Sequence, residues 1–139
     1  MPTARAEREL LACPEDVWAF LAEPHHLPDW WPGIGGVEPD RRGVSVGARW
    51  RVRRSDASLL RKAEAEDTLL VTAVELTHRF AFELVAAKLR VELALEPLGA
   101  NRTRAALVVD GPLLLAFSRN LPKTALARLH DLCQTAATI

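Results

Sequence analysis

The hydrophobic pattern of this chain changes period once, and that change limits the fold more than any other feature. From about residue 48 to residue 110, apolar and polar residues alternate. Ala48, Trp50 and Val52 are separated by Arg49, Arg51 and Arg53. Phe80, Phe82 and Leu84 alternate with Arg79, Ala81 and Glu83. Leu89, Val91, Leu93 and Leu95 alternate with Arg90, Glu92, Ala94 and Glu96, and Ala105, Leu107 and Val109 with Arg104, Ala106 and Val108. A period of two sends successive side chains to opposite faces, which predicts antiparallel strands with one dry and one wet side. Turn residues separate them at Arg42-Gly43, Ser55-Asp56, Thr77-His78 and Gly99-Ala100-Asn101. After Asp110-Gly111-Pro112 the spacing becomes three and four, through Leu114, Phe117, Leu121, Ala125, Leu129, Leu132 and Ala136. This predicts one amphipathic helix over residues 112–138. Pro122 falls inside that span, where an uncompensated proline costs roughly 3 kcal/mol and bends the helix.

The remaining segments fill out the order. Residues 3–12 are short and charged and read as an edge strand. Pro14 suits a first helical turn, Glu15 and Asp16 complement its dipole, and Val17, Phe20 and Leu21 supply an apolar face that Pro24 ends. A second short helix over residues 25–31 carries Leu27, Trp30 and Trp31 and stops at Pro32-Gly33. The strand over residues 69–76 has an open facing. A three-residue turn after it sends Leu70, Thr72 and Val74 inward, and a four-residue turn reverses the set. A sheet with one dry face needs a cover, and only the terminal helix is long enough to provide it. The expectation is a single α+β domain over residues 1–139. It has a curved antiparallel sheet of about seven strands, two short helices after the first strand, and the long C-terminal helix across the concave face.

This order, together with Cys13-Pro-Glu-Asp-Val-Trp-Ala-Phe-Leu-Ala-Glu-Pro24 and Leu27-Pro-Asp-Trp-Trp-Pro-Gly33, resembles the polyketide cyclase/dehydrase branch of the START/Bet v 1-like (SRPBCC) superfamily. The resemblance spans essentially the whole chain and implies a helix-grip fold with an apolar cavity between sheet and helix. It does not fix an activity, because relatives include lipid carriers, hormone receptors, quinone-binding proteins, cochaperones and aromatase/cyclases. The implied cavity lining is Trp50, Phe80 and Phe82 on the sheet, Phe117 and Leu121 on the long helix, and Trp30 or Trp31 at the mouth. The same residues would also serve a filled core. The expected partner is a small hydrophobic ligand such as a lipid, quinone or polyketide-like compound. A cyclase or dehydratase in the same cavity is the alternative, with any acid or base drawn from Thr68, Thr72, Asp29, the nearby histidines or the long helix. A cochaperone-like interaction module is the third.

Other features point away from other chemistries. Eighteen basic and eighteen acidic residues give a net charge of zero, which disfavours a nucleic-acid binder or a protein gripping an anionic membrane through bulk charge. The row Arg49, Arg51, Arg53 and Arg54 lies opposite Trp50 by parity, so it is expected on a solvated outer face, paired to acids such as Glu64, Glu66 or Glu83. His25, His26 and Asp29 lack the spacing of a metal site, and Gly33, Gly35 and Gly36 follow a helix rather than a strand. No metal and no cofactor are therefore expected. Cys13 follows a charged segment, not a signal sequence, and Cys133 reads as a small buried hydrophobe. The longest strongly apolar run, residues 113–117, is too short for stable membrane insertion, and a cytoplasmic location is expected.

Overall fold

The computed structural model describes residues 3–54, 66–111 and 120–137, with side chains as far as Gln134. Seven strands form one antiparallel sheet in the order β1-β7-β6-β5-β4-β3-β2. They are β1 (Thr3–Leu10), β2 (Ile34–Glu38), β3 (Arg49–Arg54), β4 (Glu66–Glu75), β5 (Arg79–Leu84), β6 (Leu89–Gly99) and β7 (Arg102–Asp110). Helix α1 (Pro14–Leu21), a 3-10 turn (Pro24–His26) and helix α2 (Leu27–Trp30) separate β1 from β2, and α3 (Leu121–Ala137) is the last element among the described residues. This is the expected helix-grip α+β arrangement. Among the described residues β1 and β2 are the edge strands, and β1 carries charge at Arg5, Glu7, Arg8 and Glu9, which discourages pairing with another chain.

The alternation sorts the faces as expected. Trp50, Val52, Phe80, Phe82, Val91, Leu93, Leu95, Ala105, Leu107 and Val109 are all buried in one core with α1, α2 and α3. Arg49, Arg51 and Arg53 are exposed on the other face. Their partners differ from those expected. Arg51 meets Glu38 at 3.5 Å and Arg54 meets Asp67 at 3.6 Å, while Glu83 pairs with Arg90 at 3.8 Å. Glu64 and the Ser55-Asp56 turn lie outside the described residues.

The open facing of β4 resolves into both alternatives at once. A three-residue turn links Glu75 to Arg79, so Val74 stands opposite Phe80, facing inward. A β-bulge then absorbs one residue between Val71 and Ala73, leaving Thr72 exposed and turning Val71 and Leu69 inward. The turn settled the near half of the strand and the bulge reversed the far half.

Helix α3 corrects two expectations. It starts at Leu121, after a turn at Asn120 whose carbonyl accepts from the Thr124 N–H at 2.8 Å. Pro122 therefore sits in the first turn, where its missing N–H and fixed φ cost nothing, and not mid-helix at a bend. The described helix has 17 residues. The part of the expected helix over residues 112–119, with Leu114 and Phe117, lies outside the described residues, as does the side chain of Ala136. The buried stripe is also rotated from the one expected. Ala125, Leu126, Leu129 and Cys133 are buried, whereas Leu121 and Leu132 are only half-buried. The helix packs on β1, β7 and α2.

Candidate functional site

Five aromatic rings meet on the inner face of the sheet. β3, β4, β5 and β6 place Trp50 beside Leu69, Phe80 between Val74 and Leu93, and Phe82 between Val71 and Val91. Trp30 ends α2, and Trp31 caps it in an extended conformation that swings its ring back over the sheet. The ring centroids of Trp31 and Phe82 lie 5.5 Å apart at 80°, and those of Trp30 and Trp31 5.8 Å apart at 82°. Phe80 lies 5.5 Å from Phe82 and 6.2 Å from Trp50, the latter pair stacked at 29°. These are the edge-to-face and offset geometries that ring quadrupoles favour. Each of the five side chains is no more than 2 % exposed. The indole N–H of Trp50 donates to the Gly43 carbonyl at 2.7 Å, so its polar end is satisfied.

Of the residues expected to line a cavity, Trp30, Trp31, Trp50, Phe80 and Phe82 thus come together. Both tryptophans join the cluster, and neither ring stands open to solvent. Leu121 is half-buried at the start of α3, and Phe117 lies outside the described residues. Trp18 and Val17 are buried on α1, while Phe20 is half-buried with its ring 5.3 Å from that of His26.

The polar candidates do not gather at the rings. Asp29, His25 and His78 are exposed, as is Thr72 at the bulge, and Thr68 stands on the outer face opposite Arg51. His26 is tied through Nδ1 to the Phe20 carbonyl at 3.1 Å. Among the described residues, the buried polar side chains are Asp67 and Thr103, and both are committed to backbone. The Thr103 hydroxyl donates to the Ala12 carbonyl at 2.7 Å. The Asp67 carboxylate accepts from the N–H groups of Thr68, Ala86 and Ala87 at 2.7, 2.7 and 3.1 Å. The sequence pattern missed Asp67 because the expected strand began at Leu69, whereas β4 begins at Glu66. Among the described residues, no three His, Cys, Asp or Glu side chains converge as metal ligands. No helix there is long and apolar enough to cross a membrane.

Two hollows on the protein's surface have a different character. One of about 550 Å³ lies along the β2 edge, between His25, Pro28, Gly35 and Gly36 and the arginines Arg51 and Arg53. Another of about 390 Å³ on the outer face is bordered by Arg79, Arg90, Glu83 and Glu92. Both are edged by charge, unlike the ring cluster.

Helix-grip topology and a dry aromatic face are what the cyclase/dehydrase resemblance implied, and the family comparison decides it: the profile described as "Polyketide cyclase / dehydrase and lipid transport" matches residues 1–133. The chain belongs to this family. No protein of curated function matches it. Solved structures share the fold at low identity. A Nitrosomonas europaea protein has a TM-score of 0.74 at 18 % identity, over 96 % of this chain and 95 % of its own. The di-domain ARO/CYC protein BexL from the BE-7585A biosynthetic pathway scores 0.72 at 16 % identity, over 94 % of this chain and 46 % of BexL. A Thalictrum flavum norcoclaurine synthase point mutant, in complex with a transition-state analogue, scores 0.68 at 17 % identity, over 98 % and 96 % of the two chains.

Proposed function

We propose that this member of the cyclase/dehydrase and lipid-transport family binds a small hydrophobic or aromatic molecule between the inner face of the sheet and the C-terminal helix. The lining we assign is Trp30, Trp31, Trp50, Phe80, Phe82, Phe117 and Leu121. The observation that carries this reading is the five-ring cluster. Aromatic side chains present large apolar area with few rotatable bonds, so a ring-bearing guest meets them at small entropic cost. The rings are almost wholly covered, so a guest reaches them by displacing what covers them. Association is then slower than the usual protein encounter rate, because binding waits on opening.

Binding is favoured over catalysis by the state of the buried polar groups. A cyclase needs an acid or base free to exchange a proton with its substrate. Asp67 and Thr103 are instead fixed to backbone groups. The test is native mass spectrometry of the protein as purified, followed by exposure to candidate lipids, quinones and polyketide-like compounds. A one-to-one adduct that survives unchanged on the protein supports a carrier. Conversion of the bound compound to a cyclised or dehydrated mass would show the enzyme instead. Absence of any adduct across all three classes would contradict both.

A further inference from the structure

Five large hydrophobic side chains among the described residues are conspicuously exposed: Leu11 (42 %), Val46 (59 %), Leu76 (72 %), Leu98 (39 %) and Val85 (44 %). Scattered singly, such residues need no explanation. Their placement in the topology is not scattered. In an antiparallel meander alternate connections fall at the same end. The β2–β3, β4–β5 and β6–β7 connections therefore share one end of this sheet; the first two carry Val46 and Leu76, and Leu98 lies in the last residues of β6, at the irregularity between Pro97 and Gly99 just before the third. Leu10 pairs with Thr103 beside the β6–β7 turn, which brings Leu11 to the same end. Only Val85, in the β5–β6 turn, lies at the other.

The charges at that end are asymmetric. Glu9 is paired with Arg102, Glu75 with Arg79 and Glu96 with Arg104. Asp40 accepts from the backbone N–H groups of Arg42, Gly43 and Arg49. Arg41 and Arg42 are exposed in the same connection as Val46 and form no salt bridge among the described residues. The end of the sheet thus presents apolar side chains at or beside its turns, next to two exposed cations set against the single negative charge of Asp40, which lies near Arg42.

We infer that this end of the sheet docks on an anionic lipid surface, with Val46, Leu76, Leu98 and Leu11 entering the interface and Arg41 and Arg42 facing acidic headgroups. Separated tips suit a fluid surface, which needs no fixed shape complementarity, better than they suit a rigid protein partner. The attraction is local, in keeping with a net charge of zero over the whole chain. It is accordingly weakened by salt and depends on acidic lipid. The inference is independent of what the ring cluster holds.

The experiment is sedimentation of the protein with vesicles of phosphatidylcholine alone and of phosphatidylcholine mixed with phosphatidylserine. The wild type should sediment with the mixed vesicles and much less with the neutral ones. The variant carrying Val46→Asp, Leu76→Asp and Leu98→Asp should lose binding at least tenfold. Arg41→Gln with Arg42→Gln should lose roughly thirtyfold, from the loss of two cations near the surface. Val85→Asp, at the opposite end, should bind as the wild type does. Cooperative urea unfolding establishes that each variant is folded, and the arginine pair decides the matter if the triple variant is not. No binding to acidic vesicles, equal binding by the tip variants, or a loss with Val85→Asp would overturn the inference. So would a vesicle-free wild-type dimer that the triple variant abolishes, since the occupant would then be a second copy of the chain.

Discussion

Asp67 shows how much a single inward acid holds in place. Its carboxylate reaches from β4 to the β5–β6 turn and satisfies the N–H groups of Ala86 and Ala87, with the Arg54 guanidinium 3.6 Å away. Removing it takes the charged acceptor from the N–H groups of a turn in which Ala86 is exposed and Ala87 half-buried, and a hydrogen bond to a charged group contributes about 1.5–3 kcal/mol. Asp67→Ala should therefore lower the urea-unfolding free energy by at least about 2 kcal/mol, and Asp67→Asn by less. An effect within about 0.5 kcal/mol would mean that the turn holds itself. Cys133 makes a different point at the same scale. Burial, with the charge of Asp16 adding to it, pushes its thiol up to about 11. The folded state keeps a proton that the unfolded chain releases near pH 9, so stability should fall as pH rises from about 9 and level off above about 11. Cys133→Ser, in urea titrations across that range, should flatten the decline. An unchanged slope would assign it to other groups. Under native conditions near neutral pH, the half-buried Cys13 should react with a thiol reagent well before Cys133.

The elements divide between those whose periodicity was legible and those set by one irregular residue. Strands β3, β5, β6 and β7 read directly, because alternation fixes both their type and their inward sets. β4 did not, since a bulge breaks the parity that makes reading possible and no residue type marks Thr72 as the extra one. This gives a sharp expectation. Deleting Thr72 should leave a regular strand with Val74, Val71 and Leu69 still inward, and a cooperative fold within about 1 kcal/mol of the original. Deleting Leu70 should turn Leu69 outward and pull Asp67 off the β5–β6 turn, with loss of cooperative unfolding. Equal effects from the two deletions, measured by chemical denaturation, would contradict the bulge. The terminal helix was legible as a helix but not in its starting point. A three/four stripe cannot distinguish a proline inside a helix from one that opens it.

At the level of the whole molecule, the order of elements was readable because a one-sided sheet leaves only the terminal helix as its cover. The aromatic set was readable for the same reason: parity assigns Trp50, Phe80 and Phe82 to the dry face. What parity cannot supply is distance. That Trp30 and Trp31 both close over Phe82 follows from the extended backbone at Trp31, which no composition or spacing announces. Nor does alternation say which turns share an end of the sheet; that is a property of the strand order. The central claim is that the ring cluster is the floor of a ligand site. Its most direct test is a titration with the apolar fluorophore N-phenyl-1-naphthylamine, following probe emission and tryptophan quenching, on the wild type and on Phe82→Trp. The larger ring fills space among Trp30, Trp31 and Phe80, at about 1–3 kcal/mol of stability for overpacking. Saturable one-to-one binding that quenches tryptophan and weakens at least tenfold in the still-folded variant is the predicted result. Binding that is absent, or of equal strength in both proteins, would contradict it.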